Sequence, residues 1–281
     1  CKRGYNGPDI KKINQDNFFI YNNFNNNPNY VFMGVCDGHG LYGHQVSSFV
    51  ANTLPQNMND NILANNYDLA TENFSNLANI IANTFISTNK QLTDDGRIDI
   101  TYSGSTCISA FITSSKIICA NVGDSRCVIG KFNGEKWFAK SLSRDHRPNE
   151  SDELDRIIKA GGRIERYKDG KKKSFGPQRI WLMNEDNPGL AMSRSFGDEI
   201  AHKIGVISEP DITENYFMKE DKFIIIGSDG LFEFIKSDDI VNIVKDFYLK
   251  NDIRGAFEVL FKESSKKWLI EEGVIDDITI L

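Results

Sequence analysis

Cysteine and proline are both scarce, five and seven residues respectively in 281, too few for a disulfide scaffold or a collagenous or low-complexity chain. The cysteines (Cys1, Cys36, Cys107, Cys119, Cys127) form an odd set with no CxxC and no zinc spacing. Cys36, Cys107 and Cys119 sit inside apolar runs, where a thiol serves as a small buried hydrophobe. A reducing setting follows as the expectation, cytoplasmic or nuclear. No apolar run approaches the roughly 20 residues needed to span a bilayer. The longest, near Tyr30–Cys36 and Phe223–Gly227, are strand-sized. A basic excess is lacking too: the net charge is −6, which argues against a sequence-independent nucleic-acid binder. The chain opens CKRGY with no signal-peptide pattern. It reads as a fragment, and any upstream signal lies outside it.

What remains is an ordinary globular composition, 40% hydrophobic and 26% charged. Twenty asparagines fall before position 90, and Asn22–Asn29 (NNFNNNPN) reads as a surface hairpin loop. No Pro/Gly/Ser linker divides the chain, so residues 1–281 are expected to form one domain. Strand-like runs recur at Asn17–Tyr21, Tyr30–Cys36, Ser105–Thr113, Lys116–Val122, Arg126–Lys131, Phe223–Gly227 and Ile278–Leu281. Val46, Phe49, Val50 and Leu54 mark one helix face, and Phe74, Leu77, Ile81 and Phe85 another. Asp152–Lys159 reads as a helix closed by Gly161, and Ser237 as the N-cap of a further one. A long irregular stretch separates Lys159 from the strand at Phe223. Mixing of this kind without strict βαβ alternation predicts antiparallel sheets with helices packed outside.

An aspartate follows an apolar run four times: Asp37, Asp124, Asp229 and Asp276. Any one of them is a common turn residue. Four strand ends can meet at one sheet edge, however, and four carboxylates there would repel unless cations neutralised them. All-oxygen ligation suits Mg²⁺ or Mn²⁺. The glycines of DGHGLYG, Gly38, Gly40 and Gly43, also match GxGxxG, but the second strand and distant acid of a dinucleotide fold are missing. His39, beside Asp37, is the candidate proton donor. His44 reads as a helix-start residue, and His146 and His202 as structural.

In this order the motifs resemble the type 2C metal-dependent protein serine/threonine phosphatases: NQDNFF, VFMGVCDGHGLYGH, SGSTC, ANVGDSR, LSRDHRP, ELDRIIKAGG, NPGLAMSRSFGD, GVISEPDI, IIIGSDGLFEF and DDITIL. The resemblance implies an α+β fold, two packed antiparallel β-sheets forming a β-sandwich flanked by helices on both sides, with a binuclear metal site at one end. It implies that Asp37 bridges two Mg²⁺ or Mn²⁺ ions, that the Gly38 carbonyl ligates one, and that Asp229 and Asp276 complete the other. A weaker third ion would map to Asp124, Asp229 and Glu233, and Asp16 joins the metal-site acids. The implied chemistry is in-line attack of a metal-activated water on phosphorus, without a phosphoenzyme, with His39 protonating the leaving oxygen. The partners implied are phosphorylated proteins. Nothing in the sequence calls for a dimer, so a monomer is expected.

Two positions depart from the family pattern. Lys11 stands where arginine is common and is taken as the phosphate-holding residue, with Lys12 and Arg3 as alternatives; lysine binds phosphate as a point charge rather than a fork. Gln15 replaces a carboxylate that reaches the metals through water. The direct ligands are all present, so an active enzyme is expected. Residues 163–190 would form a flap, with Lys168, Lys171, Lys172, Lys173 and Arg179 near Trp181: a basic docking surface for acidic phosphoproteins, or a solvated charged loop. LAMSRSFGD reads as structural support, with Arg194 pairing locally. The competing readings are a catalytically silent phosphoprotein-binding regulator and a small-molecule phosphoesterase, with an oxidoreductase resting only on the glycine match.

Overall fold

The computed structural model describes residues 1–7, 12–65, 67, 74–168 and 173–281. Strands β1 (Asp16–Asn22) and β2 (Val31–His39) form a hairpin, followed by helices α1 (Gly43–Ala64) and α2 (Phe74–Asp95). Then come β3 (Gly104–Ser105), β4 (Cys107–Ile112), β5 (Lys116–Val122), β6 (Arg126–Phe132), β7 (Trp137–Ser141) and α3 (Ser151–Lys159). A second group holds β8 (Gly162–Lys168), β9 (Ser174–Leu182), β10 (Pro188–Leu190), β11 (Phe196–Gly197), α4 (Glu199–His202) and β12 (Asp211–Tyr216). The last elements are β13 (Asp221–Gly227), α5 (Asp229–Phe232), α6 (Ser237–Tyr248) and α7 (Ile253–Glu271).

A seven-stranded sheet runs β11-β3-β2-β4-β5-β12, with β1 added beside β2, and a three-stranded sheet runs β13-β6-β7. The pairings in both are antiparallel. The period of two along each strand sorts side chains into three cores. Phe32 and Cys36 of β2, Phe111 of β4 and Ile118 and Ala120 of β5 face α1 and α2. The intervening Val35, Ile108, Ala110, Ile117 and Cys119 meet Cys127, Ile129 and Ile226 of the second sheet. Val128 and Ile225 point the other way, onto Leu231, Ile240 and Leu260 of α5, α6 and α7. Helices, sheet, sheet and helices therefore stack in four layers, which is the sandwich expected.

Local expectations fared unevenly. Asn23, Asn25 and Asn26 adopt left-handed backbone, with φ of 56°, 52° and 57°, which asparagine tolerates better than most residues. They tie the β1–β2 connection around a short 3₁₀ turn at Phe24–Asn26. Val46, Phe49, Val50 and Leu54 lie on helix α1 as expected, and the helix runs on through Pro55 to Ala64. Ser237 is the first residue of α6 rather than its cap and makes no capping bond. Ile278–Leu281 makes isolated bridges, to Lys2 and Gly227, rather than a full strand. The stretch read as irregular contains the three-stranded sheet β10-β9-β8, which covers the expected flap, and β12.

Candidate functional site

The strand register brings the acids together before any side chain is considered. Asp16 stands opposite Asp37 in the β1–β2 ladder. Gly227 pairs with Arg126 in β13–β6, so Asp229, just past one strand, and Asp124, just before the other, reach the same end. The Gly227–Ile280 bridge carries the chain's last segment, and Asp276 with it, past that end. Gly38 admits no side chain: a methyl there would collide with the Gly43 carbonyl and the Gln15 backbone.

Hydroxyls fix the acid-bearing backbone. The Asp37 N–H donates to Thr106 Oγ1 at 3.0 Å, and the Thr106 N–H returns a bond to the Asp37 carbonyl at 2.8 Å. Thr106 and Ser125 share a further bond at 2.8 Å. Ser228 donates to Asp16 Oδ2 at 2.9 Å and accepts from the Thr279 N–H at 3.0 Å. Thus the SGSTC, GDSR and GSDG motifs supply the braces of the cluster. Asp277 is also structural: buried, it accepts the N–H groups of Gly4 at 2.7 Å and Gln15 at 2.9 Å.

The carboxyl groups behave as one crowded set. Burial pushes Asp37 and Asp229 well above the usual carboxylate range, and the charges of Asp16, Asp276 and Asp124 push both further; Asp229 also raises Asp37, while a hydrogen bond with Asp37 partly offsets the rise at Asp229. Burial also raises Asp16 and Asp124 to about 6. One oxygen on each of Asp16, Asp124 and Asp229 is buried without a hydrogen-bond partner, which costs free energy unless something pairs with it. No trio of His, Cys, Asp or Glu among the described residues is already drawn in to the spacing of a metal centre. The acids instead lie within electrostatic reach of one another, with cations at the rim. Lys12 bonds to Asp276 and sits 3.4 Å from Asp277, while Arg147 pairs with Glu233 at 2.8 Å. Hard oxygen donors with unpartnered lone pairs and mutual repulsion fit a divalent cation of the Mg²⁺ or Mn²⁺ kind.

His39 closes the other side. Register sets His39 opposite Gly104, and Gly104 opposite Gly197. With no side chain at Gly104, the carboxylate of Asp198 fills that space. His39 Nε2 donates to Asp198 Oδ2 at 2.6 Å, and Ser195 Oγ donates to the same oxygen at 2.6 Å. A carboxylate only accepts, so Nε2 carries a hydrogen, and Nδ1 is buried without a partner. Burial works against protonation of His39, but Asp198 outweighs it, and the imidazole pKa is raised.

Asp37, Gly38, His39, Asp124, Asp229, Asp276, Asp16 and Glu233 thus gather at one edge, with Glu233 tied to Arg147 on the rim. Lys11 lies outside the described residues; Lys12 is the basic side chain seen on the cluster. Gln15 donates through its side-chain amide to the Gly40 carbonyl at 2.7 Å. His146 and His202 are structural: the first accepts from Gly123 N–H at 3.1 Å, and the second contacts the Ser195 carbonyl at 3.0 Å. Arg194 pairs across the fold rather than locally, with Glu153 at 2.7 Å and Asp211 at 2.9 Å. Asp198, read only as part of a supporting motif, is the residue sequence reasoning missed. Its signal was an acid directly after a glycine, in Phe196-Gly197-Asp198, as Asp124 directly follows Gly123.

The comparisons with known proteins bear on the family and the fold. A family model described as Protein phosphatase 2C matches residues 5–268. The chain is 35% identical over 295 residues to "Probable protein phosphatase 2C 35" of Arabidopsis thaliana, a match covering 100% of this chain and 81% of that protein. It is 32% identical over 275 residues to "Probable protein phosphatase 2C 64" of Oryza sativa subsp. japonica, covering 96% and 62%. Among solved structures, a serine-threonine phosphatase 2C from Toxoplasma gondii has a TM-score of 0.79 at 18% identity, covering 100% of this chain and 96% of that one. A C. elegans sex determining protein has a TM-score of 0.74 at 18% identity, covering 96% and 61%. The structural likeness speaks for the fold, and the family model with the Arabidopsis relative decides the lineage: the chain belongs to the protein phosphatase 2C family.

Proposed function

We propose that this chain is a Mg²⁺- or Mn²⁺-dependent phosphatase acting on phosphoserine and phosphothreonine in proteins. The observation that carries this reading is the edge where strand-end acids with unpartnered buried oxygens meet a carboxylate-held histidine. Asp37, Asp229 and Asp276, with the Gly38 carbonyl, would hold two divalent ions, and Asp124 and Glu233 a weaker third; Asp16 would steady the group from behind. When bound, such ions supply Lewis acidity that activates water and offsets the phosphate's charge.

The chain's own residues do the rest. Lys12 is placed to hold phosphate oxygens as a point charge, and Lys11 is the second candidate. His39, oriented by Asp198 through Nε2, is left with Nδ1 to hand a proton to the departing serine or threonine oxygen. No cysteine is needed as nucleophile, since water attacks phosphorus directly.

The test is turnover of a phosphothreonine peptide in Mn²⁺ and in Mg²⁺, with an EDTA-treated control and a phosphotyrosine peptide alongside. Release of phosphate from phosphothreonine alone, abolished by EDTA and restored by metal, is the expected result. A folded protein that binds the peptide in millimolar Mn²⁺ without releasing phosphate would favour the silent regulator instead.

A further inference from the structure

A cleft of about 270 Å³ opens beside the acidic edge, with Arg147, Asn149, Arg166 and Gln178 among its walls. Two guanidinium groups reach it from different parts of the fold. Arg147 comes from the segment before α3 and is braced by Glu233 at 2.8 Å and Asp145 at 3.2 Å. That bracing fixes one wall of the cleft to the cluster of site acids, because Glu233 stands close enough to Asp124 to act on it.

Arg166 comes from the flap strand β8, opposite Gln178 of β9. The pairing is irregular between Arg166 and Tyr167, and a bulge re-aims a strand side chain. Arg166 is exposed, and among the described residues its side chain has no hydrogen bond or ion pair. A free guanidinium and a braced one lining the same cleft with two amide side chains are a donor set for an oxyanion. The surroundings favour the same ligand. Residues 163–190 carry seven Lys and Arg against four acids, in a chain whose net charge is −6. Next to Arg166, Tyr167 and Phe175 stack at 5.8 Å and stay exposed, an apolar surface on which an extended substrate chain can lie.

We propose that this cleft is a second anion subsite, gripping a carboxylate or phosphate that the substrate protein carries near the phosphoresidue under attack. The proposal rests on the phosphatase reading above and names the substrates that reading prefers: acidic or multiply phosphorylated segments.

The experiment compares phosphothreonine peptides carrying alanine, glutamate or a second phosphoserine at successive positions on either side. Wild-type protein, Arg166→Ala and Arg166→Glu are measured for kcat/KM and, by fluorescence anisotropy, for peptide binding. The expected result is a roughly fivefold to tenfold preference of wild type for the anionic peptides at low salt, shrinking as salt screens it. Arg166→Ala should lose most of that preference and Arg166→Glu reverse it, with turnover of p-nitrophenyl phosphate and of the alanine peptide unchanged. An advantage confined to the phosphoserine peptides assigns the subsite to phosphate, and one shared with glutamate to anions in general. Wild type that turns over every peptide equally, or a preference that survives in Arg166→Glu, overturns the subsite while leaving the phosphatase intact. If no peptide is hydrolysed, the phosphatase reading fails separately, and anisotropy still decides the subsite by whether Arg166→Glu removes the preference in binding.

Discussion

At the residue scale, Asp198 and Gly104 act as a pair. The missing side chain at one position is what lets the carboxylate of the other reach His39. On the proposed phosphatase reading its consequence is chemical, since the ring is held by Nε2 and offers Nδ1. Asp198→Asn should reduce kcat on a phosphothreonine peptide by roughly tenfold to a hundredfold, the scale of an impaired general acid. On p-nitrophenyl phosphate, whose leaving group needs no proton, the loss should be far smaller. Equal losses on both substrates would mean that Asp198 only supports the fold. Asp277 makes the opposite case. It adjoins Asp276, yet its oxygens are taken by Gly4 and Gln15 N–H groups, so the pair divides into one site acid and one staple.

At the element scale, α3 is pinned to the strands behind the flap by one buried carboxylate. Glu153 is fully buried and takes bonds from Arg156, Arg194 and Ser193. Burial alone would raise its pKa, but these donors hold it down at about 2. Removing one partner of a buried charge pair costs about 3–5 kcal/mol, so Glu153→Gln should lower the unfolding free energy read from a urea titration by about that amount, with the midpoint falling accordingly. The sign of the pH effect follows from the depressed pKa. The pairing stabilises the fold above the ordinary glutamate value and is lost as pH falls through about 2. Acid titration of Glu153→Gln should therefore show a shallower loss of stability below the ordinary glutamate pKa than wild type.

The elements that sequence reasoning found and missed divide along the same physical line. Strands β4 and β5 are buried on both faces and β2 and β13 are half-buried or buried throughout, and all four announce themselves as apolar runs such as KIICANV and FIIIG. Strands β8 (GRIERYK) and β12 (DITENY) keep much of their length exposed or half-buried and carry charge where a core strand would carry valine. Their pairing is set by neighbours far away in the chain, which no local pattern records. The same holds for the site: the acids could be seen at strand ends, whereas Asp198 meets His39 only through a three-strand register.

At the scale of the whole molecule, four layers bring acids from strands β1, β2, β6 and β13 and the last segment to one edge, at an electrostatic cost. Asp16 and Asp124 have pKa values raised to about 6, and Asp37 and Asp229 are raised as well. Groups shifted this way stabilise the fold while protonated, and that contribution is lost as pH rises through the folded values. Metal-free protein should therefore lose thermal stability as pH rises from the ordinary carboxylate range through about 6. A divalent cation that binds the ionised acids stabilises the folded state by mass action and competes with protons. The rise in Tm on adding Mn²⁺ should be clearly larger at neutral pH than at acid pH, as scanning fluorimetry can read. A rise independent of pH would place the cation elsewhere.

The most direct test of the central claim follows bound Mn²⁺ and phosphopeptide turnover in one titration, for wild type and Asp37→Ala. Wild type should be silent in EDTA and gain turnover in step with the Mn²⁺ it binds, while Asp37→Ala binds less and stays silent. Turnover without metal, or an Asp37→Ala protein as active as wild type, would contradict the account.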